Sequence, residues 1–458
     1  MVVKKFPDRE KYRGVPATLD VKVVLLLVTI ILMGPYLPPF GPLEGRIRID
    51  HLLVPALTVL LFFRALLVGR FIFPPYFFLH SVFIAWLLVI TISNPIHPSN
   101  SLKPSSFTSI IAGIDAYSRP LFFLFIAHNI HFDRDDLFSL LRLVLILGFC
   151  VHIIGILQLS SFSASYINPI IFSWYDNGRS GKLLLYLLMG GRSMSVFAQV
   201  GTFAMYSLIC LSLVISQWLG ARIVKSSFFL WTAFSLSFVG GFVSGSKVFT
   251  GGIIILFLLV LFFTRFFRRI MRPSVLFPLF LLSLFLILLL SFFLPHQFEV
   301  FLKKILNFSE FYDNYLASRF GDAGDHSKGK IFRTGAIALF KDNPLTGVGF
   351  NGVAYTTDSL WVGLLGMGGI IGLLIYFSFL FSISNKLYII AKKHSDLTVS
   401  LVARMMLFLG IIFFFVSLGF HAFIQDRSGD IYWLIVGLLV SSFSGEKKEI
   451  ACSECRNE

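Results

Sequence analysis

The run SVLFPLFLLSLFLILLLSFFL at residues 274–294 carries no charged side chain and is long enough to cross a lipid bilayer as one helix. Runs of this kind recur along the chain, whose mean hydropathy is +0.82, with 56% hydrophobic and only 14% charged residues. This composition excludes an ordinary soluble protein. The sequence therefore predicts an all-α polytopic integral membrane protein.

About twelve spans of the required length can be placed along the chain. Their predicted bounds are 21–39, 49–68, 74–94, 106–128, 137–160, 195–217, 226–243, 247–265, 274–294, 358–383, 399–422 and 431–445. The chain then divides into a cytoplasmic N-terminal tail at 1–20, one membrane domain at 21–445 and a cytoplasmic C-terminal tail at 446–458.

The orientation of these spans follows from the positions of the cations. The short loop RFFRRIMR at 265–272 holds the densest group of basic residues, and loops rich in Lys and Arg stay in the cytoplasm. With that loop inside, alternation of the spans places three connections outside: 161–194, the junction near Lys247, and 295–357.

One long polar passage directly follows the run quoted above. It reads PHQFEVFLKKILNFSEFYDNYLASRFGDAGDHSKGKIFRTGAIALFKDNPLTGVGFNGVAYTTD and covers 295–358. Long connections without a core of their own are usually functional. A short helix is predicted at 331–340, stopped by the DNP sequence at 342–344. We expect this extracytoplasmic loop between spans 9 and 10, with basic residues from two other loops, to form the working site.

Several cations lie in the predicted outer connections, where the charge rule disfavours them, and four of these are candidates for one site: Arg192, Lys247, Arg319 and Arg333. Guanidinium groups suit phosphate oxygens bidentately, and lysine adds a point charge, so a shared anionic ligand explains the set. The simpler alternative is that each side chain reaches from a span end to water. The net charge of +15 does not indicate nucleic-acid binding, because the basic residues lie mostly at span ends and in short loops.

Other polar residues are candidates for single roles. Asp358, where the loop enters the tenth span, is either a general base or a helix N-cap. Asp115 and Arg119 are four apart in the fourth span and share a face, so we expect them to pair, with a proton relay as the alternative. Gln158, at the outer end of the fifth span, is a candidate partner of a sugar or of another helix. No metal-ligand or nucleotide-binding pattern is present, so no metal or cofactor is expected.

Several of these residues lie in a sequence pattern that resembles a known family. The pattern is RTGAIALFKDNPLTGVGF at 333–350, then DS at 358–359, then LGMGGIIGLL at 365–374, with an earlier GGR block at 190–192. It resembles the bacterial O-antigen ligase and polymerase superfamily, and most closely a Wzy-type polymerase. Ligases usually carry a histidine near the position of Asp358, and this chain has none there. Lys247 stands where members often have arginine.

The resemblance implies a GT-C-like fold and a metal-independent, inverting glycosyl transfer at the periplasmic face of the bacterial inner membrane. Donor and acceptor would both be oligosaccharides on undecaprenyl pyrophosphate, with membrane lipids, a chain-length regulator and a flippase as further partners. Arg192, Lys247, Arg319 and Arg333 would bind the pyrophosphate. Asp358, Arg319 and Arg333 would be catalytic, and Gln158 and Tyr355 would contact sugars. The alternatives are an O-antigen ligase that uses lipid A core as acceptor, and a twelve-span flippase or transporter of lipid-linked sugars.

We predict that reporter fusions at residues 270 and 325 will report opposite sides of the membrane. The fusion at 270 should be active only as a cytosolic reporter, and the fusion at 325 only as a periplasmic one, because cation-rich loops stay inside. A fusion at 446 serves as the cytosolic control. A cytosolic signal at 325 would contradict the predicted topology and, with it, the extracytoplasmic site.

Overall fold

A computed structural model describes residues 17–34, 49–67, 75–93, 107–130, 132–159, 193–197, 199–263, 336–355, 359–424 and 427–442. Within these ranges every regular element is a helix. The prediction of an all-α protein is confirmed for this part of the chain. The predicted ninth span, 274–294, lies outside the described residues, as do Arg192, Arg319, Arg333 and Asp358.

The α-helices, numbered in chain order, are α1 (Ala17–Met33), α2 (Ile49–Leu67), α3 (Pro75–Ser93), α4 (Phe107–Asn129), α5 (Arg134–Leu157), α6 (Val200–Leu219), α7 (Ser227–Val243), α8 (Lys247–Phe263), α9 (Leu360–Lys393), α10 (Leu397–Val416) and α11 (Ser428–Ser442). Short 3₁₀ helices cover Gly349–Tyr355 and Ala422–Ile424. Residues 336–342 are also helical, and this helix ends before Pro344, as the sequence predicts.

The lengths and compositions of these helices are those of a polytopic membrane protein. Six of them are long and apolar enough to cross a bilayer, namely α3, α4, α5, α6, α9 and α10. Four shorter ones, α1, α7, α8 and α11, are also apolar. The total of twelve spans stays a prediction. Helix α9 continues for ten residues beyond the predicted end of the tenth span at 383, to Lys393, and these residues include polar side chains. Where the span ends within α9 stays a prediction.

Helix α6 forms the centre of the described bundle. It is buried around almost its whole circumference, as expected of a helix that is apolar on every face. It contacts α5, α7, α8, α10 and α11. Helix α11 packs along α4, and α9 packs along both α3 and α10. The other helices lie outside this inner group and pack against its members or against one another.

Contacts between helix termini define two ends of the bundle. At what we name the first end, the Ser193 N–H donates to the Val243 carbonyl oxygen at 3.1 Å, and the Leu360 N–H donates to Ser417 at 3.0 Å. The two acceptors, Val243 and Ser417, are the last residue of α7 and the residue after α10. Helix termini that alternation of the spans predicts to lie on the same side therefore do meet.

The opposite termini meet in the same way at the second end. Arg134 Nε pairs with Asp396 Oδ2 at 2.7 Å, joining the start of α5 to the start of α10. The Arg222 N–H donates to Thr398 Oγ1 at 3.1 Å. Helices α5, α7 and α10 therefore run from the second end to the first, and α6 and α9 run from the first end to the second.

The basic residues are divided unequally between the two ends. Of the fourteen Lys and Arg among the described residues, four belong to the first end or the buried helix segments near it: Arg119, Lys247, Lys341 and Arg427. The other ten lie toward the second end: Lys22, Arg64, Arg134, Arg142, Arg222, Lys225, Lys386, Lys392, Lys393 and Arg404. Arg119 and Arg427 are each only 2% exposed, so among the described cations of the first end only Lys247 and Lys341 are exposed to solvent.

Candidate functional site

The predicted site residues divide into two groups. Gln158, Lys247 and Tyr355 lie within the described residues, and all three belong to the first end of the bundle. Arg192, Arg319, Arg333 and Asp358 lie outside them, and their predicted roles stay predictions. The site is therefore built here from the described segments that adjoin them.

Gln158 follows α5 and organises the segment 193–195. Its Oε1 accepts hydrogen bonds from Ser193 Oγ at 2.7 Å and from the Ser195 N–H at 2.8 Å. Its Nε2 donates to the Ser195 carbonyl oxygen at 2.9 Å. Ser195 has φ +52°, a left-handed conformation that is uncommon outside glycine, and these bonds hold it there. The amide therefore fixes the residues that directly follow Arg192, while its predicted contact with a sugar stays a prediction.

Lys247 begins α8 on the same side of the bundle. Its side chain is exposed, and the preceding residues form a tight junction in which the Ser246 N–H donates to Ser244 Oγ at 3.2 Å. Val243, just before this junction, accepts the bond from Ser193 already described. Sequence analysis assigns the segment after Arg192 and the segment before Lys247 to one face. The hydrogen bond between Ser193 and Val243 joins these two segments directly.

The turn PLTGVGF at 344–350 is attached to the glycine-rich part of α9 through main-chain hydrogen bonds. The Val348 N–H donates to the Gly366 carbonyl oxygen at 3.2 Å, and the Ile370 N–H donates to Pro344 at 2.9 Å. Glycine, which has no side chain, permits such a close approach of two main chains. The two most specific parts of the family-like pattern are therefore packed against each other.

Two glycines in this contact have no room for a side chain. Gly347 has φ +67°, and a Cβ added to it would lie 2.3 Å from the Met367 carbonyl oxygen. Gly369 has φ +61° inside α9, and its Cβ would lie 2.3 Å from the Leu345 carbonyl oxygen. Gly369 also interrupts the helical geometry of α9, and this interruption lets the helix meet the turn.

The end of this turn is also held by α3. The Phe350 N–H donates to Thr91 Oγ1 at 2.7 Å, and Asn351 Nδ2 donates to the Thr91 carbonyl oxygen at 2.9 Å. Trp86 Nε1 donates to the Gly368 carbonyl oxygen at 3.2 Å. The segment that leads to Tyr355 is thus fixed on two helices, α3 and α9.

Helix α9 is capped by Ser359, whose Oγ accepts from the Val362 N–H at 3.5 Å. The alternative that Asp358 is the N-cap of this helix is therefore wrong, because the capping position is one residue further on. Ser359 Oγ also donates to the Ser417 carbonyl oxygen at 3.3 Å, which ties the start of α9 to the end of α10. The role of Asp358 as a base stays a prediction.

The predicted pair of Asp115 and Arg119 is confirmed, and it belongs to a larger ionic group. Arg119 Nε pairs with Asp115 Oδ2 at 3.3 Å, and its Nη1 pairs with Asp50 Oδ2 at 3.3 Å. The same Nη1 also donates to Asp430 Oδ2. His51 Nδ1 lies 3.3 Å from Asp115 Oδ2 at the more exposed edge. The charged group thus joins the starts of α2 and α11 to the middle of α4.

Sequence reasoning missed the partners Asp50 and Asp430. Each lies in the first turn of its helix, where an acidic residue is expected merely to favour the helix dipole. Both are 2% exposed or less, as is Arg119, and a buried charge needs a charged or hydrogen-bonded partner. The available signal was a carboxylate at or directly before the start of each of two predicted spans, at Asp50 and Asp430, together with an arginine inside a third span.

Among the described residues, no group of three His, Cys, Asp or Glu side chains is arranged to hold a metal ion. No model of a protein family matches the sequence, and no curated protein matches it. The assignment of a function therefore depends on the residues and their geometry.

The first end offers a definite set of chemical groups. Its described residues combine two exposed cations, Lys247 and Lys341, with two rigidly held chain segments at 193–197 and 344–355 and a buried ionic group beneath them. Rigid main-chain segments can hold side chains from adjoining residues at a fixed distance from a bound anion. This arrangement suits the binding of a charged headgroup at the surface of a membrane.

We predict that Gly347→Ala will lower the thermal unfolding midpoint of the detergent-solubilised protein. The left-handed backbone and the clash with Met367 should together cost more than about 2 kcal/mol. Gly251→Ala is the matched control, since nothing lies within 4 Å of an added Cβ there and alanine favours the helix α8. Equal midpoints for the two variants would show that the turn does not pack on α9 as described.

We also predict that Arg119→Met will destabilise the protein by about 3–5 kcal/mol, because it leaves Asp50 and Asp430 buried without this partner. Asp115→Asn should cost only about 1 kcal/mol, since Asp115 is 23% exposed and solvent screens its pairs. Denaturant or thermal unfolding measures both. The double variant Arg119→Met with Asp430→Asn should be more stable than Arg119→Met alone, and a less stable double variant would contradict the ionic assignment.

Proposed function

We propose that the protein is a surface-polysaccharide polymerase of the O-antigen type. It transfers a glycan chain from undecaprenyl pyrophosphate to a new repeat unit carried by the same kind of lipid. The observation that carries this proposal is the main-chain pairing of the turn 344–350 with the glycine-rich residues 366–369. The pairing gives a structural reason for the part of the sequence pattern that most resembles the O-antigen ligase and polymerase superfamily.

A second observation supports a single site. Four described segments belong to the first end: the segment next to Arg192, the start of α8 at Lys247, the 3₁₀ helix that ends at Tyr355, and Ser359 next to Asp358. These segments come from three separate parts of the sequence. In the proposal, Arg192, Lys247, Arg319 and Arg333 surround one pyrophosphate there.

The distribution of charge supports an orientation for this site. Ten of the fourteen described Lys and Arg lie toward the second end, and such residues are enriched on the cytoplasmic side of membrane proteins. The first end then faces the periplasm of the bacterial inner membrane, and both chain termini are cytoplasmic. Lipid-linked sugars are available on that face without a nucleotide donor.

The proposed reaction is a single displacement with inversion. A hydroxyl of the acceptor sugar attacks the anomeric carbon of the donor chain, and the bond from that carbon to the pyrophosphate oxygen breaks. Asp358 accepts the hydroxyl proton, and the undecaprenyl pyrophosphate departs with the electron pair. The negative charge that develops on the leaving group is stabilised by the arginines, which therefore act most strongly in the transition state.

Reconstitution tests the proposal directly. We predict that the purified protein in liposomes that contain undecaprenyl-pyrophosphate-linked repeat units, and no nucleotide sugar, will form longer lipid-linked chains. Electrophoresis and mass spectrometry of the extracted glycans measure the products. Transfer only to added lipid A core would assign a ligase instead, and movement of the lipid between leaflets without bond formation would assign a flippase.

The predicted site residues are tested in the same assay. Arg319→Ala and Arg333→Ala should each abolish chain growth, because each removes a cation from the leaving group. Lys22→Ala, at the start of α1 near the second end, is the control and should retain full growth. Full activity of either arginine variant at normal expression would remove that residue from the site.

A further inference from the structure

Arg427, just before α11, is a buried cation bonded to main-chain carbonyl oxygens. It is 2% exposed and has φ +63°. Its guanidinium donates to Leu32 at 2.8 Å, to Gly34 at 2.8 Å and to Val196 at 2.6 Å. The first two carbonyls belong to the end of α1, and the third belongs to the segment 193–197. One side chain thus joins three parts of the chain that are far apart in sequence.

The position of Arg427 is set by the ionic group described above. Its main-chain N–H donates to Asp430 Oδ2 at 2.9 Å, and the same oxygen accepts from Arg119. Arg119 in turn pairs with Asp50. A continuous row of polar contacts therefore runs from α2 through α4 and α11 to Arg427 and the Val196 carbonyl.

The segment 193–197 is held by two side chains from different parts of the chain. Arg427 bonds Val196 and lies over the ring of Phe197 at 5.9 Å. Gln158 bonds Ser193 and Ser195. All five residues of the segment are buried, although none of them is in a helix. Ser193 is covalently joined to Arg192, so a displacement of this segment displaces the chain at Arg192.

We propose that Arg427 is a positioning residue, which fixes the segment 193–197 and thereby the chain that supplies Arg192 to the anion. Arg427 acts through this segment and does not itself touch substrate. The catalytic consequence rests on the proposed polymerase function, whereas the positional effect on 193–197 does not. Lysine cannot replace it, because a single ammonium on a flexible stem cannot reach three carbonyls as the planar guanidinium does.

The positional effect is measured by hydrogen–deuterium exchange on the full chain in nanodiscs. In Arg427→Met, amide exchange in the peptide that covers 193–197 should become about tenfold faster, the factor expected when about one hydrogen bond is lost. Arg427→Lys should change exchange in the same direction. Arg142→Met is the matched control: Arg142 Nε also donates to a main-chain oxygen, Ile223 at 2.6 Å, but near the second end. It should leave exchange at 193–197 unchanged.

The catalytic consequence is measured by the polymerisation assay on the same variants. Arg427→Met should lower kcat about 100-fold with KM changed less than about threefold, as expected of a misplaced binding group rather than a lost one. A variant that only destabilised the fold would lower the amount of active protein. Measuring the amount of folded protein by size-exclusion chromatography corrects kcat for that loss.

A second variant keeps the test decisive if Arg427→Met does not fold. Gln158→Leu removes the bonds of Gln158 to the same segment without altering Arg427. It should also speed exchange at 193–197 and lower kcat. Unchanged exchange at 193–197 in the folded Arg427 variants overturns the inference. Faster exchange with undiminished kcat overturns the positioning role. A wild-type protein without polymerase activity, in which Arg427→Met still loosens 193–197, overturns the proposed function and supports the positional effect.

Discussion

The contact between the Arg119 guanidinium and the carboxylates of Asp50 and Asp430 is the interaction on which the rest of the first end depends. A charged group in the interior of a membrane protein is tolerated only when its partners are close, so these side chains fix α2, α4 and α11 relative to one another. Asp430 transmits that constraint to Arg427 through a main-chain bond. The apolar contacts around α6 favour a compact bundle, and a shift of α2, α4 or α11 in register would separate the buried charges from their partners.

The second constraint on the site is the near absence of side chains where the turn 344–350 meets α9. Glycine at 347 and 369 allows two main chains to bond directly, and Thr91 of α3 holds the far end of the turn. The described segment 344–355 is therefore fixed on α3 and α9 by main-chain and side-chain bonds.

Patterns that act within one helix could be read from the sequence, and contacts between distant segments could not. Spacing predicted that Asp115 and Arg119 share a face, and DNP at 342–344 predicted where a short helix ends. Within the described residues, the spans predicted from hydropathy coincide with helices, whereas the continuation of α9 from 383 to Lys393 was not predicted, because a helix that continues through polar residues carries no hydropathy signal. The partners Asp50, Asp430 and Arg427 come from helix starts that are remote in sequence from Arg119. Gln158 was assigned to a sugar or another helix, and its bonds to Ser193 and Ser195 depend on a loop conformation that no periodicity encodes.

The bonds of Arg427 have a consequence for the hydration of the first end. The carbonyl oxygens of Leu32 and Gly34 lie at the end of α1, where a helix leaves its last carbonyls without partners inside the helix. The guanidinium donates to both of them and to the Val196 carbonyl oxygen, and all of these bonds are buried. It therefore replaces the water that buried carbonyls would otherwise require.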